Sequence, residues 1–169
     1  MKNSNDQQKF YDLAMSGKNI FLSGKAGTGK SFITKKLISD LSKMNKNVVV
    51  AAPTGVAANN IKGATIHSIF SLPVNGMLEW NKLNFLKSEK RAVISKIDVL
   101  IIDEISMVRP DILDGIHLTM KKNGCKGLDE IQVIFVGDMA QLNPVMDDNM
   151  RTMIMTKYQG LDFTYSGIY

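Results

Sequence analysis

The sequence predicts an α/β fold, a mostly parallel sheet with helices on both faces. Three observations lead there. Four short apolar runs recur along the 169 residues: Ile20-Phe21-Leu22, Val48-Val49-Val50-Ala51-Ala52, Val99-Leu100-Ile101-Ile102 and Val133-Ile134-Phe135-Val136. Each is near-continuous rather than alternating, as strands are when both faces of a sheet are covered. Helical periodicity separates some of the runs, and each run ends in a polar or glycine-bearing cluster. A parallel sheet gathers such ends at its carboxyl edge, where open α/β folds bind ligands.

The first element is a short helix from Asp6 to Ser16, with Phe10, Leu13 and Ala14 on one face and Gly17 as its stop. Ser4 and Gln7 have capping-box spacing; a glutamine there also has an amide suited to the adenine edge. The first apolar run leads into Gly24-Lys25-Ala26-Gly27-Thr28-Gly29-Lys30-Ser31, and from there into a helical pattern through Phe32, Ile33, Leu37 and Leu41 to about Met44. Strand, G-x-x-x-x-G-K-S turn and helix together define a phosphate-binding loop. Gly24, Ala26, Gly27, Thr28 and Gly29 would bring backbone close to phosphate at a helix start, where amides and the helix dipole favour an anion. Lys30 would reach the β- and γ-phosphates, and the Ser31 hydroxyl would hold Mg²⁺.

The second run is followed by Pro53-Thr54-Gly55. From Lys62 to Arg91 the pattern is irregular, and it predicts a short strand or turn at Thr65-Ile66-His67-Ser68, a loop past Pro73 and Asn75-Gly76, and a helical segment leading to Lys96. The third run ends in Asp103-Glu104. The first carboxylate would hold Mg²⁺, directly or through water, and the second would orient and deprotonate an attacking water. A helix starts at Pro110, buries Ile112, Leu113, Ile116 and Met120, and stops at Asn123-Gly124. The fourth run ends in Gly137-Asp138, with Gln141 close behind to sense the γ-phosphate and help place the water. From Asp147 to Tyr169 the periodicity is too weak to assign. The methionines read mostly as core filler.

Length and composition fit one soluble domain: 44% hydrophobic and 22% charged residues. A formal charge of +5 permits a nucleic-acid partner without requiring one. The single cysteine, Cys125, reads as a plain loop or core thiol and points to a reducing, intracellular setting. The polar N-terminus carries no signal peptide, and no apolar run of about 18 residues is present to span a membrane. His67 and His117 lie far apart, and no metal-ligand spacing occurs.

The order and wording of these motifs resemble the petite-integration-frequency (PIF-type) DNA helicases, relatives of the RecD-like and Dda-type enzymes. The matching stretches are Asp6-Gln7 before Gly17-Lys18-Asn19, the phosphate loop, Ala52-Pro53-Thr54-Gly55-Val56-Ala57-Ala58, Gly63-Ala64-Thr65-Ile66-His67-Ser68, Ile101 to Val108, and Gly137-Asp138 with Gln141-Leu142. The resemblance implies a RecA-like phosphate-loop NTPase domain, the N-terminal half of a superfamily-1 motor that uses ATP and Mg²⁺ to move 5′ to 3′ on single-stranded DNA. It implies that Pro53, Thr54, Gly55, Val56, Thr65, His67 and Ser68 line the strand's path, with His67 either touching DNA or supporting the loop as a core histidine. For Thr54 and Gly55, helix capping is the competing role.

The resemblance further implies a monomer in the cytoplasm, or in the nucleus or mitochondria of a eukaryote. It also implies that a second RecA-like domain, the carrier of an arginine finger, is absent from these residues. Arg109 and Arg151 do not match that finger's position, so slow hydrolysis is expected. The chain departs from the family at Asn143-Pro144, where two prolines are usual, and its Phe163, Ser166 and Tyr169 only loosely follow an aromatic-serine-aromatic pattern. Two other functions fit the same motifs, a phosphate-loop ATPase that is not a helicase and a nucleotide-switched DNA-binding module. The Thr54 and Thr65 segments argue against the first, and the intact Glu104 and Gln141 against the second.

Overall fold

The computed structural model describes residues 5–158. Ser4, and with it the capping box, and the Phe163, Ser166 and Tyr169 pattern lie outside them. Five strands form one parallel sheet: β1 (Ile20–Ser23), β2 (Val48–Ala52), β3 (Ala64–Thr65), β4 (Val99–Ile102) and β5 (Gln132–Gly137), in the order β1-β5-β4-β2-β3. The four expected strands are present. In place of the short strand or turn expected at Thr65 to Ser68, the strand is only Ala64–Thr65 and a helix, Ile66–Phe70, follows at once because Thr65 caps it.

Neighbouring side chains on the strands point to opposite faces, and the core divides accordingly. Val99, Ile101, Ile134 and Val136 pack under α1 (Asn5–Met15) and α2 (Lys30–Lys43), against Phe10, Ala14, Ile33, Leu37 and Leu41. Leu100, Ile102 and Val133 face the other way, toward α4 (Ile66–Phe70), α5 (Ser88–Ile94) and α6 (Pro110–Lys122), and meet Ile66, Phe70, Ile94, Ile112, Ile116 and Met120. Helices therefore cover both faces, as the continuous apolar runs require.

Local chemistry sets the element ends. Gly17, at φ 84°, closes α1: its N–H donates to the Ala14 carbonyl and the Lys18 N–H reaches back to Leu13, a Schellman pairing. Pro110 opens α6, and Lys121 and Lys122 sit in its last turn against the negative end of its dipole. A short helix α3 (Gly55–Asn60) follows β2.

Two regions took shape from contacts that periodicity does not encode. The segment from Leu72 to Lys87 contains a single turn of 3₁₀ helix, Trp80–Lys82, yet α6 and its flanks stitch it down along its length. Arg109 donates to the Gly76 carbonyl, Asp111 accepts from the Leu78 N–H at 3.0 Å, Lys122 donates to the Leu83 carbonyl at 2.8 Å, and Asn123 accepts from the Leu86 N–H at 2.8 Å. The second region is α7 (Asp148–Lys157), capped by Asp147 and seated through Met150, Ile154 and Tyr158 against Met77. Its narrow apolar contact explains the weak signal. Met44, Met153 and Met155 are exposed, so the filler role holds for Met77, Met120 and Met150 but not for those three. Cys125 is a buried thiol at the end of α6. Among the described residues no helix is long and apolar enough to cross a membrane.

Candidate nucleotide site and nucleic-acid interface

All five strands run the same way, so the residues that follow them share one edge. Strand order then sorts the motifs. Across the edge come the phosphate loop after β1, Asp138 and Gln141 after β5, Asp103 and Glu104 after β4, Pro53 to Val56 after β2, and Thr65 to Ser68 at β3 and α4. In sequence both hydroxyl-bearing segments fall between the phosphate loop and the acid residues. In space the phosphate and acid residues occupy one half, and the hydroxyl-bearing segments the other.

On the first half, Gly27 and Gly29 have φ of 77° and 84°, the left-handed values that favour glycine, and Gly29 caps α2. The Lys30 ammonium folds onto the loop, donating to the carbonyls of Gly24 and Lys25. Thr28 ties the same turn through its hydroxyl to the Lys25 carbonyl at 2.8 Å. Ala26 lies exposed at the loop and Ser31 at the head of α2. A cavity of about 330 Å³ lies beside the loop, lined among others by Gln7, Gly24, Thr28 and Lys30. Gln7 stands on α1, and its Nε2 donates to the Thr28 carbonyl at 2.9 Å. A bidentate grip on adenine would have to exchange with that bond.

The acid pair ends β4. Asp103 is buried, and burial raises its pKa, opposed by the Glu104 amide and by the charges of Lys30 and Lys35. Burial also raises Glu104, helped by the negative charges of Asp103 and Asp138. A carboxylate held above its ordinary range is a better base for a water proton. Glu104 has φ 51°, ψ 45°, the left-handed region, which is uncommon for a residue with a Cβ and recurrent at functional sites. Gly137 makes room for this turn, since a Cβ there would lie 2.9 Å from Ile105 Cγ2. Asp138, to which the sequence assigned no role, builds the next turn: its Oδ1 accepts from the Ala140 N–H and its carbonyl from the Gln141 N–H, both at 3.0 Å. Gln141 is exposed on that turn.

On the second half, both threonines cap helices. Thr54 Oγ1 accepts from the Ala57 N–H at 3.2 Å, opening α3, and Thr65 Oγ1 accepts from the Ser68 N–H at 3.3 Å, opening α4. Capping uses only the acceptor side of a hydroxyl, so each O–H remains a donor. Gly55, Val56 and Ser68 are exposed, and Pro53 is partly so. His67 is half-buried. Burial, and then the charge of Arg109, lower its pKa, with Asp111 opposing, which favours the neutral imidazole. The halves meet in a cleft of about 190 Å³ whose lining includes Thr54, Val56, Glu104, Ser106 and Gln141.

No group of three or more His, Cys, Asp or Glu suited to a metal occurs among the described residues. Mg²⁺ does not need such a group, and the Ser31 hydroxyl and the Asp103 carboxylate are oxygen donors of the kind it takes. This ion commonly takes one or two protein oxygens and completes its shell with phosphate oxygens and water.

A parallel sheet with a phosphate loop after its first strand and an acid pair after its fourth defines a RecA-like phosphate-loop NTPase domain. The chain belongs to the PIF1-like helicase family, whose model matches residues 2–159. It is 37% identical over 155 residues to the ATP-dependent DNA helicase PIF1 of Saccharomyces cerevisiae (strain YJM789), covering 88% of this chain and 18% of that protein. It is 33% identical over 147 residues to the ATP-dependent DNA helicase Pif1 of Campylobacter jejuni, covering 83% of this chain and 32% of that protein. Among solved structures it resembles Bacteroides Pif1 bound to ssDNA, with a TM-score of 0.88 and 37% identity over 99% of this chain and 39% of that one. The Bacteroides Pif1 complex with ADP-AlF3 and ssDNA gives a TM-score of 0.88 at 38% identity, again over 99% of this chain and 39% of the other. The chain thus spans less than half the length of each of these proteins.

Proposed function

We propose that these residues form the ATP-binding half of a motor that moves 5′ to 3′ along single-stranded DNA and separates duplex ahead of it. The observation that carries the reading is the shared cleft, in which Glu104 and Gln141 from the nucleotide half line one cavity with Thr54 and Val56 from the other half. A change at the γ-phosphate therefore has a short path to the strand-binding segments.

In this reading Lys30 exchanges its carbonyl partners in the loop for the β- and γ-phosphates. Gln7 exchanges Thr28 for the adenine edge. Ser31 and Asp103 hold Mg²⁺, which neutralises phosphate charge when bound. Glu104 takes the proton of the attacking water, and Gln141 orients that water. Thr54, Thr65, Ser68 and nearby amides donate to DNA phosphates, with His67 as a neutral neighbour. Contacts of this kind follow backbone rather than sequence, and the chain acts as a monomer.

Alone, these residues bind nucleotide and hydrolyse it slowly. Arg109 is committed to Asp111, at 2.9 Å and 3.0 Å, and so does not reach toward the phosphate loop. An arginine finger is worth roughly 10³–10⁵ in rate. The test is ATP binding and single-turnover hydrolysis by the 169-residue chain and its Glu104→Gln variant. Binding by both, with slow hydrolysis lost only in the variant, is expected. Turnover unaffected by Glu104→Gln would overturn the assignment.

A further inference from the structure

Helix α4 and its cap Thr65 form one of the two segments of the proposed strand path, yet the helix has only five residues. A helix that short does not hold itself together in water, so its pose is imposed from outside. Thr65 caps its start, and Ile66 and Phe70 are fully buried beneath it. Its end is the unusual part. Ser71 takes φ 52°, ψ 38°, left-handed values disfavoured for a residue with a Cβ. Of the last-turn carbonyls, which lack helical donors, that of His67 is taken by the Ser71 and Leu72 N–H groups, and that of Ser68 is left to a side chain.

Lys90 supplies what is missing. It lies on α5, outside every motif recognised in the sequence. Its ammonium donates to the Ser68 carbonyl at 2.5 Å and to Ser71 Oγ at 2.8 Å. One side chain thus satisfies a last-turn carbonyl of α4 and clamps the left-handed residue that ends it. α5 is itself anchored through Ile94 in the core under the same sheet face, so the clamp has a fixed base. Two of the three ammonium donors are directed into the protein.

We propose that Lys90 is a positioning residue for single-strand binding: it sets the pose of Thr65 to Ser68 from behind, and does not itself neutralise a phosphate. This inference rests on the DNA reading of that segment. The test is the equilibrium binding of a fluorescein-labelled oligothymidylate, titrated with KCl, to the 169-residue chain and its Lys90→Met and Lys90→Arg variants. Affinity for a fluorescent ATP analogue is measured in parallel.

Lys90→Met is expected to weaken oligonucleotide binding by about three- to tenfold, with an unchanged salt slope and unchanged nucleotide affinity. Lys90→Arg, which keeps charge and donors, should restore most of the loss. Hydrogen exchange of residues 66–72 should quicken in Lys90→Met. Unchanged oligonucleotide affinity in Lys90→Met would overturn the proposal. So would a salt slope smaller by about 0.7, the signature of one lost phosphate contact on a single strand. Equal losses of DNA and nucleotide affinity would reduce Lys90 to general stability and also overturn it. If the unsubstituted chain fails to bind the oligonucleotide at any salt concentration, the DNA reading falls and this inference with it. If Lys90→Met does not fold, Lys90→Gln is read by the same outcomes.

Discussion

The side-chain amide of Gln7 donates to the carbonyl oxygen of Thr28 at 2.9 Å, fastening the first helix to the phosphate loop. The bond spans 21 residues and places Gln7 on the wall of the nucleotide cavity. Gln7→Ala is expected to weaken ATP more than GTP, by about fivefold, the worth of a hydrogen bond of ordinary strength. Competition binding with the two nucleotides checks this. Equal losses would confine Gln7 to supporting the loop.

Lys30 presents an ammonium bonded to two carbonyls of the loop. Lys30→Met should lower nucleotide affinity by roughly 10–100-fold, the range for a charge-assisted hydrogen bond, with the fold intact by circular dichroism. Isothermal titration with a non-hydrolysable analogue measures it.

Glu104 makes a prediction about pH. Burial and the charges of Asp103 and Asp138 hold its pKa above the ordinary value. Between the unfolded and folded values the folded state binds more protons, so stability falls as pH rises through that interval. Glu104→Gln should therefore melt higher than the parent at pH 7, with the gap closing as pH drops toward the ordinary glutamate value of about 4.3. Asp40 works in the opposite sense. Hydrogen bonds from Lys43 and Tyr11 lower it to about 2, so its contribution is present at neutral pH and is lost as pH falls through that value. Thermal melts of the Glu104→Gln and Asp40→Asn variants across pH separate the two.

Gly63 lies against the sheet, where a Cβ would sit 2.5 Å from the Val50 carbonyl oxygen. That oxygen belongs to the backbone of β2 and cannot swing away. Gly63→Ala should cost about 1–3 kcal/mol, as overpacking does. A denaturant titration gives the value, and an unchanged midpoint would contradict the packing described.

Much of the nucleotide half was legible in sequence because it is local. The phosphate loop, the Asp103-Glu104 pair and the run into Gly137 each declare themselves within a few residues, and the helix from Pro110 to Asn123-Gly124 carries its own start and stop. The fastening of Leu72 to Lys87 was not legible. It depends on Arg109, Asp111, Lys122 and Asn123, each 33 to 39 residues from its main-chain partner. The sorting of motifs into two halves was hidden for a similar reason, since β1 pairs with β5 and not with β2. Lys90 is the clearest case: no motif marks it, and only the approach of α5 to the end of α4 gives it a role.

The most direct test of the account measures binding of a fluorescent single-stranded oligonucleotide to the chain across a salt titration, with and without Mg²⁺ and a non-hydrolysable ATP analogue. The residues proposed to hold nucleotide and strand share one sheet edge, and Glu104 and Gln141 line one cleft with Thr54 and Val56, so the account predicts salt-sensitive binding whose affinity shifts when the nucleotide site is filled. Oligonucleotide binding that is identical with and without nucleotide, or absent while nucleotide binds, would contradict it.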